Sequence, residues 1–305
     1  MKKYFRLTSL FFLGLILFAS CKKDTPAPTA KISSTVVSNV VTFNVVATDA
    51  DSYSWSFGDG SAVSTEQNPV HTYAEFGKDF TVTLTVTGGG GTVVNTAKVT
   101  IPAMTLKQML AGITTAGKKW RIAATAEIIG AAPDASLTVL KTYPAGTLTM
   151  LGMPQVYTDE YLLTSDGKLT ISPKGGGVFA GLVYCTVNGI ANVPTAAGGG
   201  AGLTYATPYT PPTGLTYTLN EKKNLTVSTT ADGMTAKDIT YNDVMTLSFS
   251  AGGFIGLHDF VSECIVKELT NTSMKIAFFA SIAPPNAPQV GKSTNVLIFT
   301  FEVAP

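Results

Sequence analysis

Two histidines, His71 and His258, and three cysteines, Cys21, Cys185 and Cys264, are all the imidazole and thiol this chain has for a nucleophile–base pair or a metal centre. Neither histidine has a cysteine or a second histidine at metal-ligand spacing, so no metal site is expected. No Gly-x-Ser-x-Gly string occurs. Nor does Glu-x-Asp-x-x-Glu, which sets the two carboxylates of a retaining glycosidase about 5.5 Å apart on one strand face. Asp159 and Glu160 are adjacent and would point to opposite faces of a strand, while Asp243, Asp259 and Glu263 stand apart from other acids. His258-Asp259 follows a glycine-rich turn, where a site and a plain surface histidine are both conceivable; the surface reading is adopted. Gly175-Gly176-Gly177 and Gly198-Gly199-Gly200 lack the lysine and the strand-to-helix setting of a phosphate loop and read as turns. No catalytic residue and no cofactor is expected, and the chain reads as a non-enzyme.

Binding chemistry is easier to find. The stretch Gly198–Tyr217 carries few charges and three tyrosines, Tyr205, Tyr209 and Tyr217, among glycines and prolines that oppose regular structure. Tyrosine offers a flat apolar ring and a hydroxyl at low entropic cost, which suits stacking on a sugar ring. Trp120 is a second candidate platform. Against these readings stand the plain ones, in which the tyrosines pack half-buried along a long connection and Trp120 fills a core.

The elements that must hold these residues fall into two regions. Between residues 29 and 102, Val41–Ala47 and Tyr53–Phe57 alternate large with small or polar side chains, as half-buried strands do. Phe80–Val86 and Thr92–Ile101 repeat the pattern across Gly88-Gly89-Gly90-Gly91, a flexible hairpin connection. Trp55 and Phe57 belong on one core-facing side, and Gly58-Asp59-Gly60 forms a tight turn that uses glycine's access to positive φ. The run Trp55-Ser56-Phe57-Gly58-Asp59-Gly60, followed by Asn68-Pro69-Val70-His71-Thr72-Tyr73 and Phe80–Val86, resembles the polycystic kidney disease (PKD) domain. That resemblance implies an extracellular immunoglobulin-like β-sandwich in which these motifs are structural, rather than an acid–base pair of Asp59 and His71.

The second region, 104–305, opens with Leu106, Met109 and Leu110 spaced for one face of a short helix, with Gly112 placed to cap it. Lys118–Ile122 then starts a strand, and strand-like runs follow at 147–150, 160–164, 168–172, 178–187, 216–219, 224–229, 243–250, 263–269, 274–281 and 295–303. The fold class expected is all-β: an immunoglobulin-like PKD sandwich, then a larger β-sandwich or jelly roll, with a lipocalin-like closed barrel as the alternative. Cys185 and Cys264 can be read as a disulfide or as buried free thiols.

Residues 1–20 have the order of an export signal: Lys2, Lys3 and Arg6, an apolar run from Leu10 to Ala19, then a cleavage site. The run is too short to span a hydrocarbon core about 30 Å thick. Phe18-Ala19-Ser20-Cys21 resembles a bacterial lipobox with phenylalanine in the usual leucine position, which implies acylation of Cys21 and a tether over 21–28. Removing Lys2, Lys3 and Arg6 with the leader takes Lys plus Arg from 21 to 18, against 20 Asp plus Glu. A body so close to neutral offers no footprint for nucleic acid.

The helix, Lys118-Lys119-Trp120, Asp159-Glu160-Tyr161, Asp166-Gly167-Lys168, Tyr241–Leu247 and Gly252-Gly253-Phe254-Ile255-Gly256 follow a pattern similar to modules beside PKD domains in Bacteroidetes outer-membrane lipoproteins of glycan-uptake loci. The resemblance implies a lipid-anchored outer-membrane protein, at the cell surface or facing the periplasm, that binds extracellular carbohydrate. The alternatives are a structural or adhesion lipoprotein that docks a protein, such as an outer-membrane transport protein, and a divergent glycoside hydrolase.

Overall fold

The computed structural model describes residues 25–131, 140–175, 177–189, 204–230, 236–281 and 295–305. Cys21 and the leader lie outside them. The chain divides into two compact units between Ala103 and Met104.

The first unit contains β1 (Thr29–Val37), β2 (Val40–Thr48), β3 (Ser52–Ser56), β4 (Val70–Thr72), β5 (Lys78–Gly88) and β6 (Gly91–Ile101). They form two antiparallel sheets, β1-β2-β4 and β3-β5-β6. Period-2 alternation sends Val41, Phe43 and Val45 of β2 and Phe80, Val82, Leu84 and Val86 of β5 inward, where they meet Trp55, Phe57 and Tyr73. Gly58 has φ +80, and a Cβ there would overlap the Thr81 carbonyl oxygen, so the turn after β3 admits only glycine. Asp59 caps that turn by accepting hydrogen bonds from the amide and hydroxyl of Ser61.

The second unit opens with α1 (Leu106–Ala111), closed at its start by a capping box in which Thr105 Oγ1 accepts from the Gln108 amide and Gln108 Oε1 accepts from the Thr105 amide. Gly112, φ +81, ends it. Then come β7 (Lys118–Ile122), β8 (Ile128–Ala131), β9 (Leu140–Tyr143), α2 (Thr147–Met150), a 3₁₀ turn (Pro154–Thr158), β10 (Glu160–Leu163), β11 (Leu169–Ser172), β12 (Val178–Gly181), α3 (Leu182–Val187), β13 (Thr204–Thr207), β14 (Tyr217–Thr230), β15 (Ala236–Phe249), β16 (Glu263–Leu269), β17 (Ser273–Ala280) and β18 (Asn295–Val303).

Ten of these strands make one antiparallel sheet of order β11-β10-β7-β18-β17-β16-β15-β14, with β8 joined to β18 and β9. Apolar runs in β17 and β18 are buried on both faces. One face carries Met274, Ile276, Phe278, Phe299 and Phe301 into the main core with Trp120 and Tyr161; the other carries Ala277, Phe279, Val296 and Ile298 into a second cluster with Leu225 and Val227. Register shifts around Lys223 and a left-handed Asp243 (φ 53) interrupt the β14–β15 hairpin, which lets its distal half serve that second cluster.

Among the described residues strand makes up 54% and helix 9%, in several sheets with no closed barrel, so the all-β class holds and the lipocalin-like alternative is set aside. Among the described residues, the starts of the edge strands β11 and β14 are joined by an isolated Lys168–Thr216 bridge, flanked by Leu169 N–H to Leu215 O (2.9 Å) and Tyr217 N–H to Gly167 O (2.8 Å). Three sequence expectations are corrected. Residues 147–150 are one helical turn, not a strand; 178–187 break into β12 and α3 at Gly181; and the glycine–proline stretch before Tyr217 contains β13. Cys185 and Cys264 are free, buried thiols.

Candidate functional site

The described ends of β12, α3, the 208–212 segment and the 253–260 turn gather five rings. His258 is the hub. Its imidazole stacks on Phe254 (centroids 4.5 Å, interplanar angle 7°) and touches Tyr184 (4.4 Å) and Tyr209 (4.8 Å, 69°). Phe260 meets Tyr184 edge-on at 5.3 Å, and Tyr209 meets Phe254 likewise at 5.3 Å. Phe254 and His258 are buried, whereas Tyr184, Tyr209 and Phe260 are half-buried and keep surface toward solvent. The expectation of a surface histidine is thereby overturned: His258 is 8% exposed, and its Nδ1 has no hydrogen-bond partner.

The backbone explains how His258 is held. Its amide donates to Phe179 O (2.8 Å) and its carbonyl accepts from the Gly181 amide (3.1 Å), a parallel bridge that pins the turn to β12. Asp259 completes the clamp, its Oδ1 accepting from the Phe260 amide (2.7 Å) and its Oδ2 from the Ser281 amide (2.8 Å). A Cβ on Gly181 would overlap that carboxylate, so glycine is what lets α3 begin so close to Asp259. Tyr209 is anchored by donating its hydroxyl to Gly252 O.

Burial governs the electrostatics here. It drives the His258 pKa down to about 4 and the Asp259 pKa up to about 6, the latter opposed by the Ser281 and Phe260 amides. Burial, with the Asp259 charge behind it, raises the Cys185 thiol to about 11. At neutral pH the cluster thus presents aromatic faces, an uncharged imidazole and a protonated thiol. Among the described residues no group of three or more His, Cys, Asp or Glu could hold a metal ion.

The other expected residues fare differently. Trp120 is fully buried, and its indole N–H donates to Leu110 O (2.7 Å), tying β7 to the end of α1. Tyr217 is 6% exposed, with its hydroxyl donating to Thr164 O (2.7 Å). Both are corrected from ligand platforms to core residues, because neither ring leaves a face free. Tyr205 lies in β13, and its side chain is outside what the structure describes. Tyr209 joins the cluster. Tyr184, Phe254 and Phe260 were not singled out as site residues from sequence; their only signal is aromatic character inside runs that otherwise read as strand or turn.

Elsewhere, Asp159 is buried with Oδ1 accepting from the Lys174 amide (3.1 Å) and Oδ2 unpartnered, while Glu160 on the opposite face pairs with Lys119 and Lys174. Glu263 pairs with Lys223 and accepts from Thr246. In the first unit His71 Nε2 and Asp59 Oδ2 are 2.7 Å apart, with the imidazole stacked on Phe57. Burial pushes Asp59 up, but the Ser61 and His71 hydrogen bonds outweigh it and hold the carboxyl at about 2.

Comparison with known proteins places the first unit. The PKD-domain family model matches residues 24–103, and that segment is a PKD domain. Two solved structures are similar over 26% of this chain, each at 29% identity: the PKD1 domain of Vibrio anguillarum Epp, covered to 99% (TM-score 0.25), and the PKD1 domain of the Vibrio cholerae metalloprotease PrtV, covered to 100% (TM-score 0.24). No curated protein matches the chain.

Proposed function

We propose that this protein is a non-catalytic lipoprotein, anchored in the outer membrane through acylated Cys21, whose C-terminal unit binds extracellular carbohydrate while the PKD domain serves as a spacer. The observation that carries the reading is the ring cluster, with Tyr184, Tyr209 and Phe260 half-exposed around a buried imidazole whose Nδ1 has no partner. Aromatic faces stack on the apolar C–H faces of pyranose rings. Cys185, its thiol held protonated, is a poor nucleophile, and the Asp259 oxygens are engaged by backbone amides, which supports binding without turnover. The leader and Phe18-Ala19-Ser20-Cys21 support the anchor. Pull-down of the chain from residue 25 to Pro305 on insoluble polysaccharides tests the function. Retention by at least one polysaccharide is expected; a folded protein retained by none contradicts it.

A further inference from the structure

The elements that build the ring cluster share a property of composition. Neither residues 177–189, which contain β12 and α3, nor residues 204–220, which contain Tyr209, include an Asp, Glu, Lys, Arg or His. The turn that brings Phe254 is equally bare, with no charged residue from Val244 to Leu257, and so is the end of β17 from Ile276 to Ser281. This is unlike β7, β14, the start of β17 and the segment after β11, where Lys119, Arg121, Lys223, Lys275 and Lys174 sit in ion pairs.

Among the described residues, the ionisable groups that act on the Tyr184 and Tyr209 rings are His258, stacked among them, with Asp259, Cys185 and the tyrosines themselves. Asp259 is the one group there able to carry a charge near neutral pH, and that charge is negative. Its two oxygens are turned onto the Phe260 and Ser281 amides, away from any cation a ligand might bring. A uronate or sulfate ester placed on the Tyr184 and Tyr209 faces would lose its water, find no Arg or Lys on the described elements that carry the rings, and feel the buried Asp259 carboxylate behind. A neutral sugar meets none of these costs. It buries C–H surface on the half-exposed rings of Tyr184, Tyr209 and Phe260 and brings no charge that has to be neutralised.

We infer that the ring cluster around His258 selects neutral polysaccharides and rejects uronic-acid and sulfated ones, an inference that rests on the carbohydrate-binding reading above. Binding of this kind releases no counterions, so it does not weaken as salt rises.

Affinity electrophoresis of the full chain in detergent separates the possibilities, with a neutral β-glucan, a neutral mannan, polygalacturonate and alginate as the polymers. Retardation by a neutral polymer, none by the two polyanions, and no change between about 50 mM and about 1 M salt are expected. Tyr209→Ala should weaken the neutral retardation about tenfold, while Tyr209→Phe, which keeps the ring, should retain most of it. Retardation by a polyanion that fades with salt overturns the neutral-ligand inference and leaves the carbohydrate reading standing. Silence from every polymer overturns both.

Discussion

A carboxyl buried from solvent with one oxygen unpartnered prefers to keep its proton, and Asp159 is in that position. Burial raises its pKa from 3.8 to about 7, with the Lys174 and Gly175 amides pulling it back only in part. The sign follows from linkage. The folded state holds the proton more tightly than the unfolded chain, so this group favours folding fully below about pH 4, progressively less up to pH 7, and not at all above. Asp159→Asn retains an acceptor for the Lys174 amide and removes the ionisation. The variant should be more stable than the parent at pH 8, by at most about 4 kcal/mol at 1.4 kcal/mol per pH unit, with most of that advantage gone at pH 4. Urea unfolding at the two pH values checks it; a constant difference between parent and variant would mean that the carboxyl titrates as it does in the unfolded chain.

At the scale of elements, Gly181 is where strand, helix and site turn meet. Because a methyl group there would run into the Asp259 carboxylate, Gly181→Ala should lower stability by roughly 1–3 kcal/mol, the usual cost of overpacking, and displace His258 with it. Thermal unfolding together with carbohydrate retention would show both losses or neither. The same junction explains what sequence could and could not disclose. Residues 263–269 and 295–303 read as strands with the observed limits, the second because β-branched and aromatic residues dominate it, the first on the apolar run Cys264-Ile265-Val266. Val178–Val187 looked like one strand because its apolar run is unbroken, and the break at Gly181 comes from the tertiary contact with Asp259. Thr147–Met150 alternates like a strand but folds as a single turn after Gly146, whose φ of +74 no local pattern foretold. Two separate runs, 216–219 and 224–229, proved to be one strand interrupted by a bulge.

Over the whole molecule, the PKD unit was readable from its motifs because turn glycines and alternating core residues lie close together in sequence. The candidate site was not. Its rings come from α3, the segment after β13 and the turn before β16, segments that sequence periodicity treats as unrelated and that only the fold brings together. Of the five rings, sequence marks Tyr209 alone as a platform, and it places His258 on the surface, which the fold corrects. The two histidines now divide between the two units, one stacked on Phe57 in the PKD domain and one at the centre of the ring cluster. Imidazole resonances followed by NMR during titration with a neutral oligosaccharide thus read both units in one experiment. The His258 signal should move in step with occupancy while the His71 signal stays in place; movement of His71 with His258 unchanged would contradict the assignment of binding to the C-terminal unit.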